Sequence, residues 1–401
     1  MTRVRRGLVT IALLLVLAPA GHGATLPLSA RLAQALAVPG YAKSTSAAVA
    51  VDLSTGELLF ARNPDLPLAP ASNEKLTVTF AALRELGVTY RFRTEVFARG
   101  HQDGSTWHGD LFLKGFGDPT LTSVQVEQLA AQIAEQGITN VAGRVLGDES
   151  WFDARRTAAG WKPGFFINEC PPLSALVVDR AVYDRHVALQ PALAAAGLLR
   201  KLLRKHGVTS GAVGLGRAPG GALALAQVES EPLPVVLQQM DRDSDNFAAE
   251  LIAKDLGAEV GAGGTTAAGV AIVRRDLAAA GVPLAGVRIV DGSGLSLEDR
   301  LTARALSVLL VTSWDDEALH QPLWAALPVA GVNGTLEHRM QHRPARGAVR
   351  AKTGTTSEAS ALSGYVGSRF AFAVLQNGLP VATSSAERAQ DRFASALASA
   401  P

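Results

Sequence analysis

The sequence predicts a mixed α/β (α+β) fold in which an antiparallel sheet is flanked by helices. Two observations carry this. Near the start, the apolar runs Ala47–Leu53 and Leu58–Ala61 are separated by the turn Ser54-Thr-Gly-Glu, as in a hairpin. Near the end, Val349–Thr355, Ala361–Val366 and Phe370–Asn377 follow one another closely, as antiparallel neighbours do. Segments of helical period stand between and around these strands.

Composition leaves room for such a fold. The 401 residues are 48% hydrophobic and 18% charged, enough for a large core and more than one domain. A net charge of +2 and no long charge run argue against nucleic acid as a partner. Arg3, Arg5 and Arg6, the apolar run Leu8–Leu17 and the small residues up to Ala24 predict a secretory signal peptide over 1–24. An uncleaved anchor is the alternative. No later stretch reads as membrane-spanning. Cys170 is the sole cysteine, so no intramolecular disulfide forms, and beside Pro171-Pro172 it reads as a packed apolar residue.

After the hairpin, the loop Asn63–Pro70 leads into Ser72 and a helix over Leu76–Leu86. Strands follow over Tyr90–Ala98 and Trp107–Lys114, then a helix over Val124–Glu135 and a strand over Gly143–Asp148. A Pro/Gly/Trp-rich loop spans Gly160–Pro172, a long helix His186–Lys205, and a strand Leu223–Val228. Helices resume at Leu233, and Asp241–Phe247 opens another through about Asp255. Gly261-Ala-Gly-Gly-Thr-Thr lacks the lysine of a nucleotide loop and reads as a linker to helix Thr266–Ala280. Val287–Val290 reads as a strand, Thr302–Trp314, Gln321–Leu327 and Ala386–Leu397 as helices. His338 and His342 have i, i+4 spacing without a third ligand, so they read as a solvated helix face and not a metal site.

Ser72 stands three residues before Lys75 at a helix start, where one face brings hydroxyl and amine together. Alone, such a serine is usually an N-cap. Two further motifs give it weight: Ser244-Asp-Asn246 at a helix start and Lys352-Thr-Gly-Thr355 on a strand. The three in this order are those of class A β-lactamases and penicillin-binding proteins. Physically the set is complete. Ser72 is the candidate nucleophile, and Lys75, desolvated beside a second ammonium, the candidate base. Ser244 can relay a proton to the leaving amine, and Asn246 can hold substrate amide and Lys75. Lys352 supplies positive potential for a carboxylate, with the Thr353 and Thr355 hydroxyls and Gly354 beside it. The backbone N–H groups of Ser72 and Thr355 are candidates for an oxyanion hole.

The chain resembles the D-alanyl-D-alanine carboxypeptidases/endopeptidases of the penicillin-binding protein 4 type. Gly117-Asp-Pro-Thr-Leu, Asp291-Gly-Ser-Gly-Leu-Ser, Gly331-Val-Asn-Gly-Thr-Leu and Val349–Thr355 carry the resemblance, as does the wide gap from Ser72 to Ser244. It implies a β-lactamase/transpeptidase-like domain split into 25–92 and 235–401, with a smaller domain inserted at 93–234. It also implies a serine acyl-enzyme without metal or cofactor, peptidoglycan stem peptides and cross-links as substrates, and β-lactams as acylating ligands. An exported, cell-wall location follows. From the resemblance, Asp148 and Phe152 are expected to bind the amino end and stem of the diaminopimelate side chain. The family's usual arginine after Gly-Leu-Ser is Leu297 here, and a usual aspartate is Asn333. Leu297 implies tolerance of an amidated or absent side-chain carboxylate, unless Arg300 takes the arginine's place. A β-lactamase and a non-catalytic cell-wall scaffold are the competing readings. The first lacks an evident E-x-x-x-N motif between the first two motifs. The second has no need of Ser72, Lys75 and Lys352 together.

Overall fold

The computed structural model describes residues 26–39, 45–183 and 185–401. The expected signal peptide lies outside them. Helix α1 (Leu28–Ala35) precedes strands β1 (Ser46–Asp52) and β2 (Leu58–Arg62), joined as the expected hairpin. A 3-10 turn, Ala71–Glu74, runs into α2 (Lys75–Glu85). Then come β3 (Arg93–Asp103), β4 (Thr106–Gly115), α3 (Ser123–Glu135), β5 (Asn140–Val141), β6 (Val145–Asp148), β7 (Val182–Tyr183) and β8 (His186–Val187). Next are α4 (Pro191–Lys205), β9 (Thr209–Ser210), β10 (Val213–Leu215) and β11 (Leu223–Glu229). The chain continues through α5 (Leu233–Asp243), α6 (Asn246–Glu259), α7 (Thr266–Ala279), α8 (Ala303–Asp315) and α9 (His320–Ala326). It closes with β12 (Val349–Thr355), β13 (Ala359–Val366), β14 (Phe370–Asn377) and α10 (Thr383–Ala398).

The two ends of the sequence build one sheet, in the order β12-β13-β14-β1-β2, antiparallel throughout. Strands β1, β13 and β14 are buried on both faces, and the period of two divides them. Ala47, Val49, Ala361, Tyr365, Ala373 and Leu375 face the core shared with α2 and α5–α9. Ala48, Ala50, Leu362, Phe372 and Val374 face the core under α1 and α10. Central position explains why these strands read as continuous apolar runs. A second sheet, in the order β10-β6-β4-β3-β11, is mixed: β3 pairs antiparallel with β4 and β11, while β6 pairs parallel with β4 and β10. Helices α3 and α4 share its core through Leu129, Ile133, Leu199 and Leu203. A fourth cluster, including Phe152, Cys170, Leu173, Phe247 and Leu295, joins the 150–181 stretch to α6 and the loop after residue 290.

Four expectations need correction. The long helix begins at Pro191, not His186; His186–Val187 instead pairs with Val182–Tyr183. Proline suits the first helical turn, where its missing N–H costs nothing. Val287–Val290 forms no strand, only an isolated bridge between Arg288 and Arg300. Asp241–Asp243 ends α5 rather than opening α6, because Ser244 turns left-handed (φ 58°) between the two helices. His338 and His342 lie in turns after the 3-10 segment Gly334–Leu336, not on a helix face.

Candidate active site

The Pro-rich loop delivers Ser72 into the first turn before α2, with Ala71 left-handed at φ 47°. Lys75 follows on the same face, and its ammonium is wholly buried. Its Nζ has three partners: Ser72 Oγ at 3.0 Å, Asn246 Oδ1 at 2.8 Å and the Ser293 carbonyl at 2.7 Å. Burial is the main force lowering its pKa, opposed by the charges of Asp291, Asp241, Asp245 and Glu250.

The left-handed Ser244 directs its hydroxyl toward β12, where Lys352 Nζ donates to it at 2.8 Å and to the Thr353 carbonyl at 2.9 Å. Lys352 is also fully buried; burial first, and the Lys75 ammonium second, push its pKa down to about 7 against the pull of Asp241. Asp245 caps α6 by accepting from Phe247 N and Ala248 N, which points Asn246 at Lys75. Asn246 Nδ2 donates to the Glu169 carbonyl at 3.1 Å. Asn73 donates to the Lys352 carbonyl at 3.0 Å and ties the serine turn to β12. Gly354 permits that approach: a Cβ there would sit 2.7 Å from the Pro70 carbonyl oxygen and 3.1 Å from Ser72 N. Thr353 Oγ1 donates to Thr335 Oγ1 at 2.7 Å, and Thr355 is exposed next to it. The structure thus brings the five residues together as two hydrogen-bonded groups, Ser72–Lys75–Asn246 and Ser244–Lys352, tied by Asn73 and close enough for the charge of Lys75 to act on Lys352.

Beside this array is a cavity of about 370 Å³ lined by Ala71, Leu297, Arg300, Phe165, Lys162 and Glu358, among others. Lys162 pairs with Glu358 at 2.8 Å across its rim. Arg300 therefore shares a cavity wall with Leu297, and its Nη1 donates to the Leu297 and Asp299 carbonyls. Asp148 and Phe152 are not among the residues lining that cavity. Asp148 is 1% exposed, and its carboxylate accepts from Ser150 N and Ala218 N and lies 3.8 Å from Lys114. Those internal donors hold it within β6. Phe152 is buried against Gly117 and Gly264, with the Lys254 ammonium over its ring. Asn333 folds back to accept from Val329 N at 2.9 Å.

Sequence reasoning named Ser72 and Asn246 as partners of the lysine but missed the third, the Ser293 carbonyl, and the acids behind it. Ser293 acts through a carbonyl, which no side-chain pattern reveals. Glu250, one turn after Asn246, accepts from Gly292 N and Ser293 N and so sets that carbonyl's position. Asp291 accepts from Gly294 N, Ser296 N and Trp161 Nε1. The i, i+4 spacing of Asn246 and Glu250 was the available signal.

Comparison with known proteins gives the family. The model of the D-Ala-D-Ala carboxypeptidase 3 (S13) family matches residues 28–191 and 185–399. The chain belongs to that family. It is 32% identical to the D-alanyl-D-alanine carboxypeptidase of Actinomadura sp., over 85% of this chain and 79% of that one. It is 34% identical to a carboxypeptidase of Mycobacterium tuberculosis, over 79% of this chain and 72% of that one. Its fold matches the crystal structure of penicillin binding protein 4 from Haemophilus influenzae with a TM-score of 0.80, at 23% identity, covering 93% of this chain and 98% of that chain. The same protein has also been solved in complex with a β-lactam (TM-score 0.75, 22% identity). The expected family, fold class and enzyme class, a serine-type D-Ala-D-Ala carboxypeptidase, are therefore met.

Proposed function

We propose that the chain hydrolyses D-alanyl-D-alanine ends and D-alanyl cross-links of peptidoglycan stem peptides through a Ser72 acyl-enzyme. The observation that carries this is the set of partners around Lys75. As a neutral amine, Lys75 has two N–H donors and one lone pair. Asn246 Oδ1 and the Ser293 carbonyl take the donors, so the lone pair meets Ser72 Oγ at 3.0 Å. The hydroxyl then donates its proton to Lys75 as Ser72 attacks the scissile carbonyl. The N–H groups of Ser72 and Thr355 receive the oxyanion. Ser244 gives its hydroxyl proton to the departing D-alanine nitrogen and takes one from the Lys352 ammonium. Lys75 keeps the Ser72 proton and returns it when water, giving its own proton back to Lys352 through Ser244, releases the acyl group. The buried Lys352 ammonium and the Thr353 and Thr355 hydroxyls bind the terminal carboxylate. Water completes the cycle.

The side chain of the stem residue enters the 370 Å³ cavity, where Arg300 replaces the usual arginine in meeting a carboxylate. Lys162 is already paired with Glu358, so Arg300 is the cation with donors to spare in that wall. Segments 25–92 and 235–401 form the acyl-transfer domain, 93–234 the insertion, and the enzyme works outside the cytoplasm. Among the described residues no helix is long and apolar enough to cross a membrane.

Two assays test the reading. Purified enzyme should release D-alanine from a stem pentapeptide, and a penicillin adduct should persist far longer than a lactamase turnover. Rapid penicillin hydrolysis without D-alanine release would favour the β-lactamase. Among matched peptides, free diaminopimelate should be preferred to its amide by about tenfold in kcat/KM, the range of one charge-assisted hydrogen bond. Arg300→Gln should erase that preference. Equal use of both peptides by the wild type would remove Arg300 from the site.

A further inference from the structure

The stretch between the first two motifs reaches back to the Ser244–Asn246 turn at one charged contact. Arg180 forks onto Asp245: Nη2 donates to Oδ1 at 2.9 Å and Nη1 to Oδ2. Its guanidinium also lies 5.2 Å from the centroid of Phe247, the next residue but one. Asp179, Arg180 and Ala181 are three consecutive non-glycine residues in the left-handed region, with φ of 48°, 57° and 60°. Such backbone persists only where its surroundings over-determine it, and it collects at functional sites. Here Asp179 N donates to the Leu121 carbonyl, Asp179 Oδ1 accepts from Ser123 N, and Ala181 is buried with Phe247. The strained turn is what aims Arg180 at Asp245.

We propose that Arg180 is a positioning residue for acyl transfer, fixing the Ser244–Asn246 turn through Asp245 and cancelling that carboxylate's charge beside the catalytic array. An exposed ion pair would matter little. Here the guanidinium is exposed, but the pair is bidentate, its acid is mostly buried, and that acid is the cap that directs Asn246 to Lys75. The charged and titratable groups around Lys75 are Asp291 on its loop, Asp241 at the end of α5, Asp245, Glu250 on α6, Glu74 in its own turn, Lys352 on β12 and the Cys170 thiol. Asp245 is one of the acids that favour the ammonium form of Lys75. Arg180 sets the opposite charge against the same carboxylate and so opposes that pull. Without it, Lys75 holds its proton to higher pH and is less often a base.

The inference rests on Lys75 accepting the Ser72 proton, and the test separates the two. The rate of acylation by a fluorescent penicillin is measured from pH 5 to 9. Arg180→Ala should move the acid limb up by about half to one pH unit, a three- to tenfold loss of rate on that limb. Asp245→Asn should move it down. The double variant should return close to the wild-type limb, and Arg180→Lys should lie between Arg180→Ala and wild type. A purely structural role would lower the rate at every pH and leave the limb in place. Unmoved limbs in Arg180→Ala and Asp245→Asn overturn the proposal. Should Arg180→Ala fail to fold, Asp245→Asn and Arg180→Lys still decide, since unmoved limbs in both overturn it equally. Absence of acylation at Ser72 in the wild type would overturn the underlying reading instead.

Discussion

At the scale of single residues, the site is a contest over two buried ammonium groups. Lys75 and Lys352 are both removed from water, and each is held by neutral oxygens rather than by a direct carboxylate partner. At Lys75 that arrangement favours neutral amine over ammonium and gives the serine a base, while Lys352 keeps its charge when a substrate carboxylate lies against it. Lys75→Ala should lower acylation by about 10²–10⁴-fold, measured with a chromogenic β-lactam, because the proton acceptor is gone. A wild-type rate would move the base elsewhere, Lys352 first. Lys352→Ala should chiefly raise KM for peptides bearing a free terminal carboxylate. Gly354→Ala tests the close approach of strand and serine. Its Cβ would collide with the Pro70 carbonyl, so β12 must retreat from Ser72. Acylation should fall while circular dichroism stays native; unchanged acylation would mean that the strand can move freely.

At the scale of elements, the loop between α7 and α8 and helices α2 and α6 enclose several acids. Glu74 and Glu250 are fully buried, and desolvation, aided by the Asp291 charge, pushes both pKa values up to about 8. Burial likewise raises Asp241 to about 6 and Asp255 to about 7. A carboxyl whose folded pKa exceeds its unfolded value binds more protons when folded. Its contribution is therefore full below the unfolded pKa and lost as pH rises through the folded one. The melting temperature should fall as pH rises from about 4.5 to about 7. Above that, Lys352, whose folded pKa is depressed to about 7, acts in the opposite sense. Glu250→Gln should flatten the slope in the lower window, read by calorimetry across pH. A slope as steep as wild type would mean that Glu250 is already ionised in the fold. These acids were not legible in the sequence. Their neighbours are brought together from α2, α6 and the 291–299 loop, and no local pattern records that meeting.

At the scale of the whole molecule, the sheet and the three motifs were legible because strand burial and acyl-transfer chemistry both leave side-chain patterns. Ser72, Lys75, Ser244, Asn246 and Lys352 meet as their types suggested. The left-handed Ser244 was not legible, since its conformation is set by α5 and α6 packing on either side. The inward turn of Asp148 was not legible either, because its partner Ala218 N is far along the chain. Arg180 was missed for the same reason, since its contact with Asp245 exists only once segment 93–234 folds back onto α6. The central claim is that this assembly makes Ser72 a nucleophile. Its most direct test is intact mass and peptide mapping after brief exposure to penicillin. One adduct is expected, on the peptide containing Ser72, and Ser72→Ala should take none while melting as the wild type does. An adduct on another residue, or an equal adduct on Ser72→Ala, would contradict the account.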